Sequence, residues 1–255
     1  MLSRLREAGF DVLTKNHAEA ILLHDFPGQL DELAAVLLDF RIGVAELISS
    51  GGGEAAFTQR LRRDLTRRGW PKHVFTVQTI VDGIEREAIG HEVDHVRSAP
   101  AGRLALEIEW NNKDAFYDRD LENFQRLHMQ SALSAGIVVT RGASMQEAFS
   151  RRIKGRLEAD GVADEAGLAR YGIDERTQAQ RRAVARMVAR GIPFAEAFTR
   201  NFVTSKYGQA STHWDKLRAR VDRGVGNPCP LLLIGLPAAI FTDDPLPGDA
   251  PRLPL

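Results

Sequence analysis

The sequence predicts an α/β fold, a mixed sheet flanked by helices with a helical insertion. The residues after Pro27 place leucines and valines at helical spacing. Residues 74–110 contain short alternating stretches separated by turn residues, which is typical of strands. Apolar runs at 137–140 and 231–236 are predicted as buried strands, and the Ala- and Arg-rich segment 142–203 between them has a helical period.

The chain of 255 residues is long enough for one large domain or two small ones, and its charge balance indicates no global nucleic-acid surface. We expect a single domain over residues 1–255, with a helical insertion at 142–203 and a loose tail at 242–255. Lys+Arg and Asp+Glu both count 34, so a surface that binds nucleic acid would have to be a local patch.

Cysteine content and hydropathy predict a soluble cytoplasmic protein without a membrane partner. The single cysteine, Cys229, has no internal disulfide partner, which fits a reducing compartment. The first residues lack the apolar core of a signal peptide. The most apolar run, residues 230–241, is too short to span a bilayer.

The first part of the chain is predicted to be helical. A helix begins near Pro27, because proline is favoured in the first turn. Residues 49–53 are a serine- and glycine-rich break. A helix follows, with Phe57, Leu61 and Leu65 on one face.

The middle of the chain is predicted to be an antiparallel meander. Residues 74–81 alternate and are rich in β-branched side chains, and residues 82–83 are an Asp-Gly hairpin turn. Segments 84–88, 91–97 and 103–110 continue the meander.

A further helix is predicted after the meander. Asp118 or Asp120 would cap it, and it would end at Gly136.

Acidic residues on neighbouring strands of this meander indicate a metal site. Glu107 and Glu109 lie two residues apart, so both leave the same face of a strand. Asp94 lies on the preceding strand, and three converging carboxylates favour a hard divalent cation such as Mg²⁺ or Mn²⁺. A solvated strand face is the alternative interpretation of the two glutamates.

Residues 91–95 read His-Glu-Val-Asp-His, which matches the H-E-x-x-H pattern of zinc proteases. That pattern requires a helix, whereas this segment alternates among predicted strands. We therefore expect His91 and His95 to be exposed strand residues.

Two polar segments are candidates for DNA contacts. Asn112 and Lys113 follow the acids and fit base-edge and phosphate contacts, although a polar turn explains them equally well. A basic cluster lies on the helix after the glycines and just beyond it, and its members are Arg60, Arg62, Arg63, Arg67, Arg68 and Lys72. Within it, Arg63 and Arg67 share a helix face and fit phosphate binding, although a solvated helix would look the same.

Glu54 follows the three glycines 51–53, and this segment could form an anion-binding nest, or Glu54 could be a further acid near the metal. An ordinary helix start is the simpler interpretation, because acids favour the first turn. Whether Glu54 or His73 joins the acidic site stays open.

Several segments of the chain resemble the BglII/BstYI type of type II restriction endonuclease. The central run covers residues 107–114 and 116–124 and is the most specific part of the likeness. The other matching segments are residues 51–54, 69–70, 91–95, 206–208, 211–213 and 229–230.

The resemblance implies a restriction-endonuclease-like fold of the PD-(D/E)xK type. It also implies an Mg²⁺ cofactor, with Mn²⁺ able to substitute, and a homodimer that cleaves palindromic double-stranded DNA. A cognate DNA methyltransferase is expected in the same system. A catalytically inactive DNA-binding relative and a zinc protease remain the alternatives.

The resemblance also assigns roles to residues. Asp94 and Glu107 are similar to the metal ligands, and the carbonyl of Ile108 would be a third. Asp94, Glu107 and Glu109 would be catalytic, but Glu109 replaces the lysine of the wider superfamily, so the activating base stays open. Asn112 is similar to an asparagine that contacts bases. The implied DNA-binding residues are Asn112, Lys113, Arg63, Arg67, Ser211, Thr212 and His213.

Overall fold

A computed structural model describes residues 1–49, 54–173 and 176–243, and it has the predicted mixed α/β architecture. The strands are β1 (Asp11–Lys15), β2 (Ile42–Gly43), β3 (His73–Val81), β4 (Ile84–Val93), β5 (His95–Ala99), β6 (Gly102–Glu109), β7 (Ala135–Arg141), β8 (Leu231–Leu236) and β9 (Phe241–Thr242).

The helices precede, connect and follow these strands. They are α1 (Leu2–Glu7), α2 (Ala18–Asp25), α3 (Pro27–Asp39), α4 (Val44–Ile48), α5 (Ala56–Arg67), α6 (Phe116–Met129), α7 (Ala143–Ala159), α8 (Gln178–Val188), α9 (Phe194–Lys206) and α10 (Trp214–Asp222). Two short 3-10 helices cover Ala166–Tyr171 and Ala238–Ile240.

The central sheet has five strands in the order β1-β8-β7-β6-β5. The three inner strands β8, β7 and β6 run parallel, and the outer strands β1 and β5 are antiparallel to their neighbours. Strands β3 and β4 form a separate hairpin, and β2 pairs with β9 in a short parallel ladder. The mixed sheet is the predicted one.

Helices cover both faces of this sheet, and alternate residues of each strand enter different cores. Leu104, Leu106 and Ile108 pack into the larger core, to which α3, α5, α7 and α9 contribute. Ala105 and Val138 face the smaller core, which α6 and α10 close. The side chains of Glu107 and Glu109 share the face of Ala105, because residues two apart on a strand point the same way.

Both helices predicted in the first part are present. Pro27 occupies the first turn of α3, and Phe57, Leu61 and Leu65 form the buried face of α5. Strand β1 was not predicted, because Asp11–Lys15 is short and partly polar, and it is recognised as a strand only through its pairing with β8.

The predicted meander is divided in two. Asp82 and Gly83 adopt positive φ angles in the turn of the β3–β4 hairpin, as expected for Asp-Gly. The segment 91–97 is not one strand, because β4 ends at Val93 and β5 begins at His95. Asp94 therefore lies at a bend between two strands and not within one.

The helix that follows β6 differs from the prediction at both ends. It begins at Phe116 after an N-cap at Ala115, and it ends at Met129, not at Gly136. Neither Asp118 nor Asp120 is its cap. Asp118 lies in the first turn, and Asp120 lies further along the helix with a buried side chain.

The segment predicted as a helical insertion contains α7, a 3-10 helix, α8 and most of α9. Its buried residues Met145, Phe149, Ile153 and Phe198 belong to the larger core, which also holds strand residues of the sheet. Its separation from the rest of the domain stays a prediction.

Of the tail predicted at 242–255, Thr242 is paired in β9, and residues 244–255 lie outside the described part, so the loose tail stays a prediction. Among the described residues, no helix combines the length and apolar character needed to cross a bilayer.

Candidate active site

Two glutamates of β6 lie on the sheet face that α6 covers. Glu107 is 4 % exposed and Glu109 is 3 % exposed. The alternative of a solvated strand face is therefore wrong. Leu104, Leu106 and Ile108 point into the opposite core, as the alternation predicts. Buried carboxylates require partners, so the surroundings of these two side chains define the site.

Asp94 reaches this pair from the bend between β4 and β5. Its Oδ2 accepts from the backbone N–H of Ile108 at 3.2 Å, and its own N–H donates to Oε2 of Glu107 at 3.3 Å. The Asp94 and Glu107 carboxyl groups also contact each other directly. Because N–H and C=O of one strand residue point to the same side, the Ile108 carbonyl faces Asp94 as well.

Arg62 of α5 completes the surroundings of Asp94. Its Nη2 lies 2.7 Å from Asp94 Oδ2, and its Nε lies 2.5 Å from Oε1 of Glu54. Glu54 is therefore joined to the site through an arginine. The glycines 51–53, proposed with it as an anion nest, lie outside the described residues. His73 is exposed on β3, where its ring packs against Phe75.

Glu109 has a different set of neighbours. Its Oε2 accepts from Nδ2 of Asn112 at 2.8 Å, and its Oε1 lies 3.9 Å from Nη2 of Arg119. Its carboxyl group also contacts that of Asp120, which α6 brings over the sheet. Arg119 pairs with Oδ1 of Asp120 at 2.8 Å.

Burial and the charges of neighbouring acids raise the pKa of Glu107, Glu109 and Asp120. Burial raises the pKa of Glu107 far above the ordinary carboxyl range, and the charge of Asp94 adds to this effect. The pKa of Glu109 is raised by burial and then by Asp120. Burial also raises the pKa of Asp120. Such a group of acids favours either protons or a bound cation.

The donor chemistry fits a divalent cation, although the acids are arranged as two pairs. Asp94 contacts Glu107, and Glu109 contacts Asp120. Among the described residues, no three His, Cys, Asp or Glu side chains already have the spacing of a metal cage. All four groups offer oxygen, which Mg²⁺ and Mn²⁺ prefer.

The two histidines of the zinc-protease pattern are not placed as expected. His91 is 6 % exposed and His95 is 2 % exposed, so the prediction of exposed strand residues was wrong. They lie on β4 and β5, and the helix required by the zinc motif is not formed. His95 instead contacts the carbonyl of Trp70 through Nδ1 at 2.7 Å, and burial lowers its pKa.

The structure brings Asn112 and Lys113 beside the 211–213 segment. Lys113 forms an isolated bridge with Ser211, and the N–H of Asn112 donates to Oγ1 of Thr212 at 3.2 Å. Thr212 is 0 % exposed and His213 is 3 % exposed. Both have structural positions, and a direct DNA contact by either side chain is not supported.

The solvent-accessible candidates for DNA contact lie in two places, and Ser211 is half-buried. Lys113 and Ser211 line a cleft of about 720 Å³ together with residues of α8 and α9. Arg63 and Arg67 are exposed on α5, the helix that also carries Arg62, and Arg67 forms a 3.0 Å ion pair with Asp64.

Three site residues were not assigned to the site by sequence reasoning. Arg62 was grouped with the other basic residues of its helix, and Arg119 was not singled out. Asp120 was considered only as a helix cap. A signal for it exists, because Asp120 shares the helical spacing of the apolar residues Tyr117 and Phe124.

Comparison with known proteins identifies the family of the chain. No curated protein matches the sequence significantly. The family model described as "Restriction endonuclease BglII/BglIII" matches residues 10–236. These residues include the whole five-stranded sheet and all four acids of the site. The chain therefore belongs to the BglII family of restriction endonucleases.

Proposed function

We propose that this protein is a type II, site-specific deoxyribonuclease that cleaves palindromic double-stranded DNA by Mg²⁺-dependent hydrolysis, with Mn²⁺ able to substitute. The observation that carries the proposal is the contact between the half-buried carboxyl group of Asp94 and the buried one of Glu107, with the buried Glu109 on the same strand face as Glu107. Family membership gives the nuclease class.

The residues divide the chemistry among themselves. Asp94, Glu107 and the carbonyl of Ile108 would hold the cation. A bound Mg²⁺ supplies polarisation of the scissile phosphate and a lower pKa for the attacking water. Glu109 would orient or deprotonate that water, and Asn112 would hold the Glu109 carboxylate through its 2.8 Å hydrogen bond.

The same proposal includes the DNA partner and the oligomeric state. Lys113 and Ser211 at the cleft, with Arg63 and Arg67 on α5, would contact phosphates, and Asn112 is the candidate for base-edge contact. One site cuts one strand, so symmetric cleavage of a palindrome requires two protomers. Because such an enzyme would also cut its host genome, we expect a cognate DNA methyltransferase in the same system. We expect the protein in the cytoplasm, where its DNA substrate would be.

Substitution of the two metal-ligand candidates tests the activity. Purified Asp94→Ala and Glu107→Ala should lose Mg²⁺-dependent cleavage of plasmid DNA while retaining the circular dichroism spectrum of the wild type. Glu92→Ala is the matched control, because Glu92 is an exposed acid of β4 that pairs with Lys72. Cleavage near the wild-type rate by either site variant would refute the assignment. DNA binding without cleavage by the wild type would favour an inactive relative.

A further inference from the structure

Asp120 is a charged residue on the apolar face of α6. Tyr117, Leu121 and Phe124 share this face and are buried, and only 1 % of Asp120 is exposed. Gly136 of β7 lies directly beneath the Phe124 ring, since a Cβ on it would come within 2.3 Å of that ring. The helix therefore lies close to the sheet, and Asp120, one turn before Phe124, is fixed above β6.

One oxygen of Asp120 has a partner and the other does not. Oδ1 accepts from Nε of Arg119 at 2.9 Å. Within the described part of the chain, no N–H or hydroxyl donor reaches Oδ2, and the neighbour of Asp120 is the carboxyl group of Glu109. When both acids are ionised this buried oxygen is therefore without a partner, which is unfavourable unless a cation binds there.

We propose that Asp120 is a fourth acid of the divalent-cation site, which its Oδ2 enters together with Glu109. The proposal rests on the nuclease function proposed above and adds a residue to it. Charge supports the idea, because the four carboxylates face only two guanidinium groups, those of Arg62 and Arg119, and Arg62 is shared with Glu54. A divalent cation would offset the excess negative charge. A buried oxygen facing another acid is also the kind of group that a hard cation binds.

The inference predicts opposite effects of one substitution with and without a cation. In Asp120→Asn the amide is able to donate to Glu109, so the cation-free protein should be at least as stable as the wild type. The lost charge should weaken Ca²⁺ binding by about 10–100-fold, the range found when groups around a metal site are removed. If Asp120 had only a structural role, its substitution would instead lower stability in EDTA and leave the Ca²⁺ affinity unchanged.

The experiment compares melting temperatures in EDTA and in a Ca²⁺ titration, without DNA and without cleavage. Asp118→Asn is the matched control, because Asp118 lies on the same helix but pairs with Arg220 at 2.9 Å. It should retain wild-type Ca²⁺ affinity. Asp94→Asn is the positive control for loss of binding. Asp120→Ala is a second variant, which removes the carboxylate without adding volume.

The outcomes separate this inference from the proposed function. Weakened Ca²⁺ binding with unreduced stability in EDTA supports Asp120 as a cation ligand. Wild-type Ca²⁺ affinity in both Asp120 variants, with binding lost in Asp94→Asn, overturns the inference and leaves the nuclease proposal intact. Failure of both Asp120 variants to fold in EDTA also overturns it. Absence of Ca²⁺, Mg²⁺ and Mn²⁺ binding by the wild type would refute the nuclease proposal itself.

Discussion

The side-chain amide of Asn112 donates to Oε2 of Glu109 at 2.8 Å, just beyond the end of β6. Thr212 fixes the backbone of Asn112 from the other side, because its N–H donates to the Asn112 carbonyl at 2.9 Å and its hydroxyl accepts from the Asn112 N–H. The residue that the sequence suggested as a base reader is thus a partner of the Glu109 carboxylate. One N–H of the amide is used by Glu109, so only its second N–H and Oδ1 are left for a base.

We expect Asn112 to act through Glu109. Asn112→Ala should lower the cleavage rate, and Glu109→Gln should lower it further without necessarily abolishing it. The double variant should be close to Glu109→Gln alone, because residues that work as one unit are not additive. Single-turnover cleavage rates of the four proteins measure this coupling.

A direct role in base reading predicts a different result. In Ca²⁺, Asn112→Ala would then bind a specific duplex more weakly by about 1–3 kcal/mol per lost bidentate contact and a scrambled duplex unchanged. Equal losses of affinity for both duplexes would exclude base reading by Asn112. Additive effects of the two substitutions on the cleavage rate would exclude action through Glu109.

Arg63 and Arg67 should contribute to DNA binding independently of sequence. Each is exposed on α5, and phosphate neutralisation releases counterions. Arg63→Ala and Arg67→Ala should weaken binding to every duplex, with a salt slope shallower by about 0.9 for each lost phosphate contact.

Fluorescence anisotropy in Ca²⁺ across a salt series measures the slope. Arg6→Ala is the control, since Arg6 lies on α1 beside β1, at the sheet edge opposite β5, and pairs with Glu19. An unchanged slope in both α5 variants would remove this helix from the DNA interface.

The stability of the cation-free protein should fall as pH rises. Burial, followed by the charge of Asp94, raises the pKa of Glu107 above its ordinary value of 4.5. The folded state therefore binds more protons than the unfolded state. Stability from this group is complete below the ordinary value and is lost as pH rises through the raised pKa. Ca²⁺ displaces these protons, so its stabilising effect should grow with pH.

Melting temperatures in EDTA, measured from pH 4.5 upward through the raised pKa of Glu107, test the effect. Glu107→Gln does not titrate and should flatten the pH dependence, whereas Glu92→Gln, at an exposed position, should leave it as in the wild type. A wild-type protein whose pH dependence equals that of Glu107→Gln would contradict the raised pKa.

The strand carrying the acids was predictable from the sequence because its pattern is strictly local. Alternation in residues 104–110 separates Leu104, Leu106 and Ile108 from Glu107 and Glu109, and the structure places the two sets in different layers. Asp82 and Gly83 likewise fix a hairpin turn through their own backbone preferences. Such features require no knowledge of distant neighbours.

Features that depend on distant neighbours were not predicted. Strand β1 is recognised through its pairing with β8, which lies far away in sequence. Arg62 meets Asp94 only after α5 packs beside β5, so its spacing among other arginines indicated a phosphate patch. The Trp70 carbonyl gives the buried ring of His95 a hydrogen-bond partner, and the alternating pattern does not encode this contact.

The close approach of α6 to the sheet should depend on Gly136. A Cβ at this position would lie 2.3 Å from Cδ2 of Phe124, so the ring and the helix would have to move. Gly136→Ala should therefore destabilise the fold by about 1–3 kcal/mol, as overpacking does. Because Asp120 lies one turn before Phe124, the same shift should separate Asp120 from Glu109 and weaken Ca²⁺ binding.

Gly155 offers a matched glycine control within α7. Nothing lies within 4 Å of a Cβ built on it, so Gly155→Ala should stabilise the protein by about 0.5–1 kcal/mol through the helix preference for alanine. Urea denaturation gives both stabilities, and Ca²⁺ titration gives the affinities. If Gly136→Ala is as stable as Gly155→Ala and binds Ca²⁺ like the wild type, α6 does not depend on this contact, and Asp120 is not held over β6 in the way described.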